Sequence, residues 1–97
     1  MIEIVVHAIR GRCPVFKIGD KIVIDGPKVV LERTNALCVH ALPTLLHYVS
    51  ALEHGVPPRE LDLTKAEDPE HAYVQCPDPG EPYTCGGTVI FRMRKVR

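Results

Sequence analysis

The amino-acid sequence predicts an α+β fold, a small and mostly antiparallel β-sheet packed against one main helix over about residues 40–54. Three observations carry this. Residues 2–9 (Ile-Glu-Ile-Val-Val-His-Ala-Ile) are rich in β-branched side chains, which pack well on a pleated surface. Residues 88–94 (Thr-Val-Ile-Phe-Arg-Met-Arg) alternate, so that Val89, Phe91 and Met93 point to one face and Arg92 and Arg94 to the other. Between them Leu42, Leu45, Leu46, Val49 and Leu52 recur at spacings of three and four, the period of an amphipathic helix.

The first strand is broken by Gly11, Cys13 and Pro14, and Val15 to Ile18 lead toward a turn at Gly19-Asp20. Lys21 to Ile24 reads as a second short strand, closed by Asp25-Gly26-Pro27. Val29, Val30 and Leu31 are a further short strand or a loop packed on the core. Two helix starts fit the pattern. A cap at Thr34 or Asn35 puts Pro43 in the interior and forces a kink. A start near Ala41 puts Pro43 in the first turn, where proline is tolerated. Gly55 closes the helix as a left-handed cap, and Val56-Pro57-Pro58 prevents its continuation. Residues 57–70 are acidic and read as loop, and Ala72 to Gln75 as a short strand. Residues 76–82 carry three prolines and can be neither helix nor sheet interior.

A chain of 97 residues, 45% hydrophobic and 25% charged, is a single globular domain over 1–97. At this size the core is modest, so a metal or covalent staple adds useful stability. Lys+Arg and Asp+Glu are equal at 12, which leaves no global field to attract nucleic acid or an acidic membrane. The basic run Arg92, Arg94, Lys95, Arg97 has no interleaved aromatics, so it argues against nucleic-acid binding and reads as a solvated face or a docking patch for an acidic partner. No segment approaches the roughly 18 apolar residues of a membrane span, and Met1-Ile2-Glu3-Ile4 lacks the features of a signal peptide. The expectation is a cytoplasmic protein that does not engage the membrane. In that reducing compartment cysteines more often bind metal or do redox chemistry than form structural disulfides.

The four cysteines are Cys13, Cys38, Cys76 and Cys85, separated by 24, 37 and 8 residues. The spacing matches neither the paired knuckles of a zinc ribbon nor the clustered run of a ferredoxin. Their context says more. Cys13 lies in Gly-Arg-Cys-Pro, Cys76 in Cys-Pro-Asp-Pro and Cys85 in Thr-Cys-Gly-Gly, each in a chain break rather than on the apolar face where a core cysteine belongs. Proline after cysteine fixes the direction of the departing chain, and glycine lets backbone N–H groups approach the sulfur. Cys38 lies at or near the helix N-terminus, where dipole and free N–H groups favour a thiolate.

These features point to a metal centre at Cys13, Cys38, Cys76 and Cys85. An iron–sulfur cluster is favoured over zinc, because separate loops can close around a cluster several ångströms across. A lone zinc ion requires every sulfur at about 2.3 Å from one point. A [4Fe-4S] cluster is preferred, with [3Fe-4S] as the other form. Disulfides and plain buried thiols are the remaining readings. His40, His47 and His54 recur every seven residues and form a solvent-exposed stripe, with His40 close enough to Cys38 to join a centre there. His7 and His71 read as structural, Asp20 as a turn residue, and Asp78 as a loop-holding side chain. No phosphate loop, nucleophile elbow or His-Glu-x-x-His is present, and no catalytic dyad stands out.

Cys13-Pro14-Val15-Phe16-Lys17-Ile18-Gly19-Asp20, Cys38-Val39-His40-Ala41-Leu42, and Cys76-Pro77-Asp78-Pro79 with Gly86-Gly87-Thr88-Val89-Ile90-Phe91 resemble a family of small uncharacterised bacterial and archaeal proteins of about this length. The resemblance covers nearly the whole chain. It implies that Cys13, Cys38 and Cys76 belong to the family pattern, Cys85 less clearly so. Three protein sulfurs leave one iron of a cubane open or suit a three-iron cluster. The expected function is an iron–sulfur protein in electron transfer or redox sensing, with a redox partner protein. The alternatives are a zinc- or disulfide-stabilised interaction module, or an enzyme whose open iron binds a small substrate.

Overall fold

The computed structural model describes residues 1–97. Five antiparallel strands form one sheet in the order β3-β2-β1-β5-β4. They are β1 (Ile2–Gly11), β2 (Lys21–Asp25), β3 (Lys28–Val29), β4 (Ala72–Gln75) and β5 (Gly87–Lys95). The one α-helix, α1 (Leu42–Glu53), packs on one face of the sheet. No helix of the fold is long and apolar enough to cross a membrane.

The α+β class is as expected from the sequence, and its core follows the alternation. Ile2, Ile4 and Val6 of β1, Ile22 and Ile24 of β2, Ala72 and Val74 of β4, and Val89, Phe91 and Met93 of β5 form one buried cluster with the helix. β1 carries a bulge at His7: Val6 pairs with Phe91, but Ala8 pairs with Ile90. The extra residue rephases the strand, so Ile9 opposite Val89 returns to the core side. Met1, Val23 and Val30 form a small separate cluster.

The helix takes the later of the two starts, with Pro43 in its first turn. Thr34 and Asn35 do not cap it because their side chains extend the sheet instead. Thr34 Oγ1 accepts the Val23 N–H and donates to the Val30 carbonyl, and Asn35 Oδ1 accepts the Lys21 N–H. At the other end Gly55 adopts φ 92°, with Gly55 N–H on the Leu52 carbonyl and Val56 N–H on the Ala51 carbonyl. This is a Schellman closure. The buried stripe is Ala41, Leu45, Val49 and Leu52; Leu46, expected on the core face, lies at its margin and is exposed.

Three loop readings are refined. Only Lys28–Val29 pairs as a strand, across a two-residue turn at Gly26-Pro27, and Leu31–Arg33 form a 3-10 turn. The acidic segment after the helix holds another 3-10 turn at Pro58–Leu61. Leu61 and Leu63 from that segment pack against the core.

On the sheet face opposite α1, a polar network replaces apolar packing. Tyr73 donates its hydroxyl to Asp68 at 2.7 Å, and the His71 ring lies 3.1 Å from the same carboxylate. Tyr73 meets the His7 ring edge to face, and Arg92 donates to His7 Nδ1 at 3.0 Å. His7 and His71 thus have the structural roles expected of them. Burial and the neighbouring Arg92 push the His7 pKa down, in keeping with its ring accepting a hydrogen bond. The Tyr73 hydroxyl, and then His71, hold Asp68 down at about 2, below its ordinary 3.8.

Two outcomes are expected. Phe91→Ala, at the centre of the core, should cost about 3–5 kcal/mol in urea unfolding. Because the folded Asp68 pKa is depressed, its contribution is present above the ordinary carboxylate value of 3.8 and is lost as pH falls toward 2. Asp68→Asn should therefore lower the thermal midpoint at neutral pH, and the gap from wild type should narrow below about pH 4 and close only toward about pH 2.

Candidate metal centre

Three of the four cysteines meet at one end of the molecule. Cys13, Cys38 and Cys76 line a cavity of about 450 Å³ together with Pro14, Phe16, Ala41 and Val89. Each arrives on a different segment: the loop after β1, the turn before α1, and the residue after β4.

The Cys13 loop is set by its neighbours. Phe16 is buried with its ring edge to face on Phe91 at 5.3 Å. This anchors the turn so that the Phe16 N–H donates to Cys13 Sγ at 3.3 Å. Asp20, only 5% exposed, closes the loop by accepting from the Lys17 N–H and the Lys17 ammonium, both at 3.0 Å. Those two bonds, the backbone one first, lower its pKa. The loop is then tied to β1 by Val6 N–H on the Asp20 carbonyl and Gly19 N–H on the Val6 carbonyl. Asp20 is a turn residue as expected, and it also anchors the loop.

Cys76 is buried and continues the β4–β5 ladder by donating its N–H to the Val89 carbonyl. Its Sγ accepts the Val89 N–H at 3.2 Å, and its thiol lies 3.8 Å from the Gly87 carbonyl. Cys38 is half-buried, one turn ahead of the helix, and its carbonyl accepts the Leu42 N–H at 2.9 Å. His40 also lines the cavity, whereas His47 and His54 lie on the exposed helix face.

Asp78 lines the cavity but is committed to holding its own loop. Its carboxylate accepts the Thr84 hydroxyl and the Gly80 N–H, and these two bonds, in that order, hold its pKa below the usual carboxylate range. Thr88 donates its hydroxyl to the Asp78 carbonyl at 2.6 Å. Cys85 is exposed and does not line the cavity, although its neighbour Gly86 does.

All four cysteines are free thiols. No set of three or more His, Cys, Asp or Glu side chains stands close enough to hold a single metal ion. The chain matches no family model, no curated protein and no solved structure.

Phe16 and Arg12 line the cavity and are site residues that the sequence did not single out as such. The signal for Gly87 was present in the Gly-Gly that opens β5. Gly87 pairs with Gly11, and a Cβ on Gly87 would overlap the Arg10 carbonyl oxygen and the Arg12 amide nitrogen. Gly87→Ala should therefore destabilise the fold by at least about 1–3 kcal/mol, as overpacking does. It should also raise the rate at which a thiol reagent titrates Cys76, because the loops on either side of that sulfur must separate.

Proposed function

We propose that this protein binds an iron–sulfur cluster through Cys13, Cys38 and Cys76 and works in electron transfer or redox sensing. The observation that carries the reading is the arrival of three thiols from three separate segments at one cavity. Two of the three sulfurs accept backbone N–H bonds, from Phe16 and Val89. Such bonds favour the thiolate, the form that ligates metal, and they are among the factors that tune a cluster's potential.

The donor set fits a cluster better than a single ion. A tetrahedral zinc needs its ligand atoms within about 2.3 Å of one point, and the donors are not so gathered. A cluster spreads its ligands over its own width. When bound, it would supply one-electron chemistry. The chain's part is to hold the thiolates, donate N–H groups to them, and exclude water with Pro14, Phe16, Ala41 and Val89.

Val15, Leu37 and Val39 also line the cavity and are 39%, 40% and 80% exposed, an apolar rim suited to a redox partner protein. The basic residues at the C-terminus lie near the other end of β5, about 27 Å along the strand from Gly87. A partner seated on the rim need not engage them.

The test is iron and sulfide analysis after purification without oxygen, with absorbance near ~400 nm as the optical check. Brown protein containing iron and acid-labile sulfide is expected. Cys13→Ala, Cys38→Ala and Cys76→Ala should each lose most of it while retaining the wild-type circular-dichroism spectrum. Colourless wild-type protein holding one zinc, or no metal at all, refutes the reading.

A further inference from the structure

We infer that the second half of β1 is an open sheet edge that takes an extended, acidic segment of another protein as an added strand. The inference does not depend on what the cysteine cavity holds. β1 is paired with β5 along its whole length, from Ile2 opposite Lys95 to Gly11 opposite Gly87. On its other side it meets β2 only from Ile2 to Val5. Val6 is still bonded there, to the Asp20 carbonyl and the Gly19 N–H. Beyond the bulge at His7, no strand lies beside Ala8, Ile9, Arg10 and Gly11 on that side, and no hydrogen bond reaches them from the loop that returns the chain to β2. Four residues at about 3.3 Å each leave roughly 13 Å of edge whose outward N–H and C=O groups are unpaired. Water reaches this stretch, since Arg10 and Gly11 are exposed and Ala8 and Ile9 half-buried. Unpaired groups of this kind are the template for strand addition, in which main-chain bonds give affinity and alternate side chains give selectivity.

Charge around the edge chooses the occupant. From Ala8 to Gly19 the chain carries Arg10, Arg12 and Lys17 and no acidic residue. Asp20 takes the Lys17 ammonium, but neither arginine closes a salt bridge within the fold, although Glu81 shares a cleft with Arg10. A second copy of this chain is a poor fit. Antiparallel self-pairing about Gly11 sets Arg10 of one copy opposite Arg12 of the other, and like charges directly opposite destabilise a strand pair. A strand rich in glutamate or aspartate meets the same arginines with the opposite sign. Half-buried Ile9, and Ile18 on the return loop at 67% exposed, offer apolar contact to its alternate residues.

The probe is a fluorescein-labelled hexapeptide amide of alternating glutamate and valine, added to the full chain. Anisotropy reads its binding, and amide hydrogen exchange of the protein reads its place. Binding that slows exchange within residues 8–11 is expected. A lysine–valine peptide should not bind. Nor should the glutamate–valine peptide N-methylated at every residue, which keeps the charge and loses the main-chain donors. Arg10→Gln combined with Arg12→Gln should weaken binding by roughly three- to ten-fold, the scale of two exposed charge pairs. Equal binding of the N-methylated or the lysine peptide, protection confined to other residues, or no binding at millimolar peptide overturns the inference. A dimer of the peptide-free chain in sedimentation, protected at residues 8–11, also overturns it, because a second copy then occupies the edge.

Discussion

The close pairing of Gly11 with Gly87 is the constraint on which the candidate site depends. β1 and β5 are the central strands and share the longest ladder of the sheet, from Ile2 opposite Lys95 to Gly11 opposite Gly87. At the glycine end the two backbones approach so tightly that a Cβ on Gly11 would lie 3.0 Å from the Gly86 carbonyl oxygen. Few real Cβ atoms sit so close, and a Cβ on Gly87 would overlap the Arg10 carbonyl oxygen outright, so side chains here would force the strands apart. The loop leaving β1 carries Cys13, and the chain entering β5 backs onto Cys76 through Val89. With the strand ends held together, both sulfurs face one cavity.

The site also draws its rigidity from the core. Phe16 serves both: its ring packs on Phe91 and its N–H bonds Cys13 Sγ. Val89 does the same, being buried in the core while its N–H bonds Cys76 Sγ. Ala41 at the head of α1 is core and cavity wall at once. Two of the sulfurs are therefore hydrogen-bonded by backbone groups of buried core residues. Preorganisation of this kind lowers the ordering cost that a cofactor would otherwise meet on binding.

Much of the fold was legible because its signals are local. β-branched runs, the alternation at 88–94 and the leucine spacing each report on a few neighbouring residues, and the two long strands, β2, β4 and α1 follow them. The chain break at Cys13 marked its sulfur as loop-borne, whereas Cys76, read the same way, sits in the buried apolar cluster, because its N–H pairs with the Val89 carbonyl and continues the β4–β5 ladder. What sequence could not supply was non-local. Thr34 and Asn35 have good capping side chains, and only the presence of β2 alongside redirects them to Val23 and Lys21. The His7 bulge is invisible locally, since it is defined by which residue of β5 stands opposite. Cys85 shared the loop context of the other cysteines. Its outward position follows from Asp78 bonding across its own loop to Thr84 and Gly80. Leu46 kept the right period and still fell at the edge, because the sheet covers a narrower arc of the helix than the apolar residues span.

The two faces of the sheet solve the problem of a small core in different ways. The α1 face buries apolar residues continuously from Leu52 to the cavity wall. The opposite face places Asp68, Tyr73, His71, His7 and Arg92 in mutual contact. A cluster at the end of the apolar face, as proposed, would accept hydrogen bonds at two of its sulfurs from the Phe16 and Val89 N–H groups, with Arg12, His40 and Asp78 also on the cavity wall. The titratable groups of the opposite face are separated from this end by the sheet itself. His7 lies in β1 and its partner Arg92 in β5, so the polar network and the cavity are joined through the pairing of those two strands, which ends at Gly11 opposite Gly87.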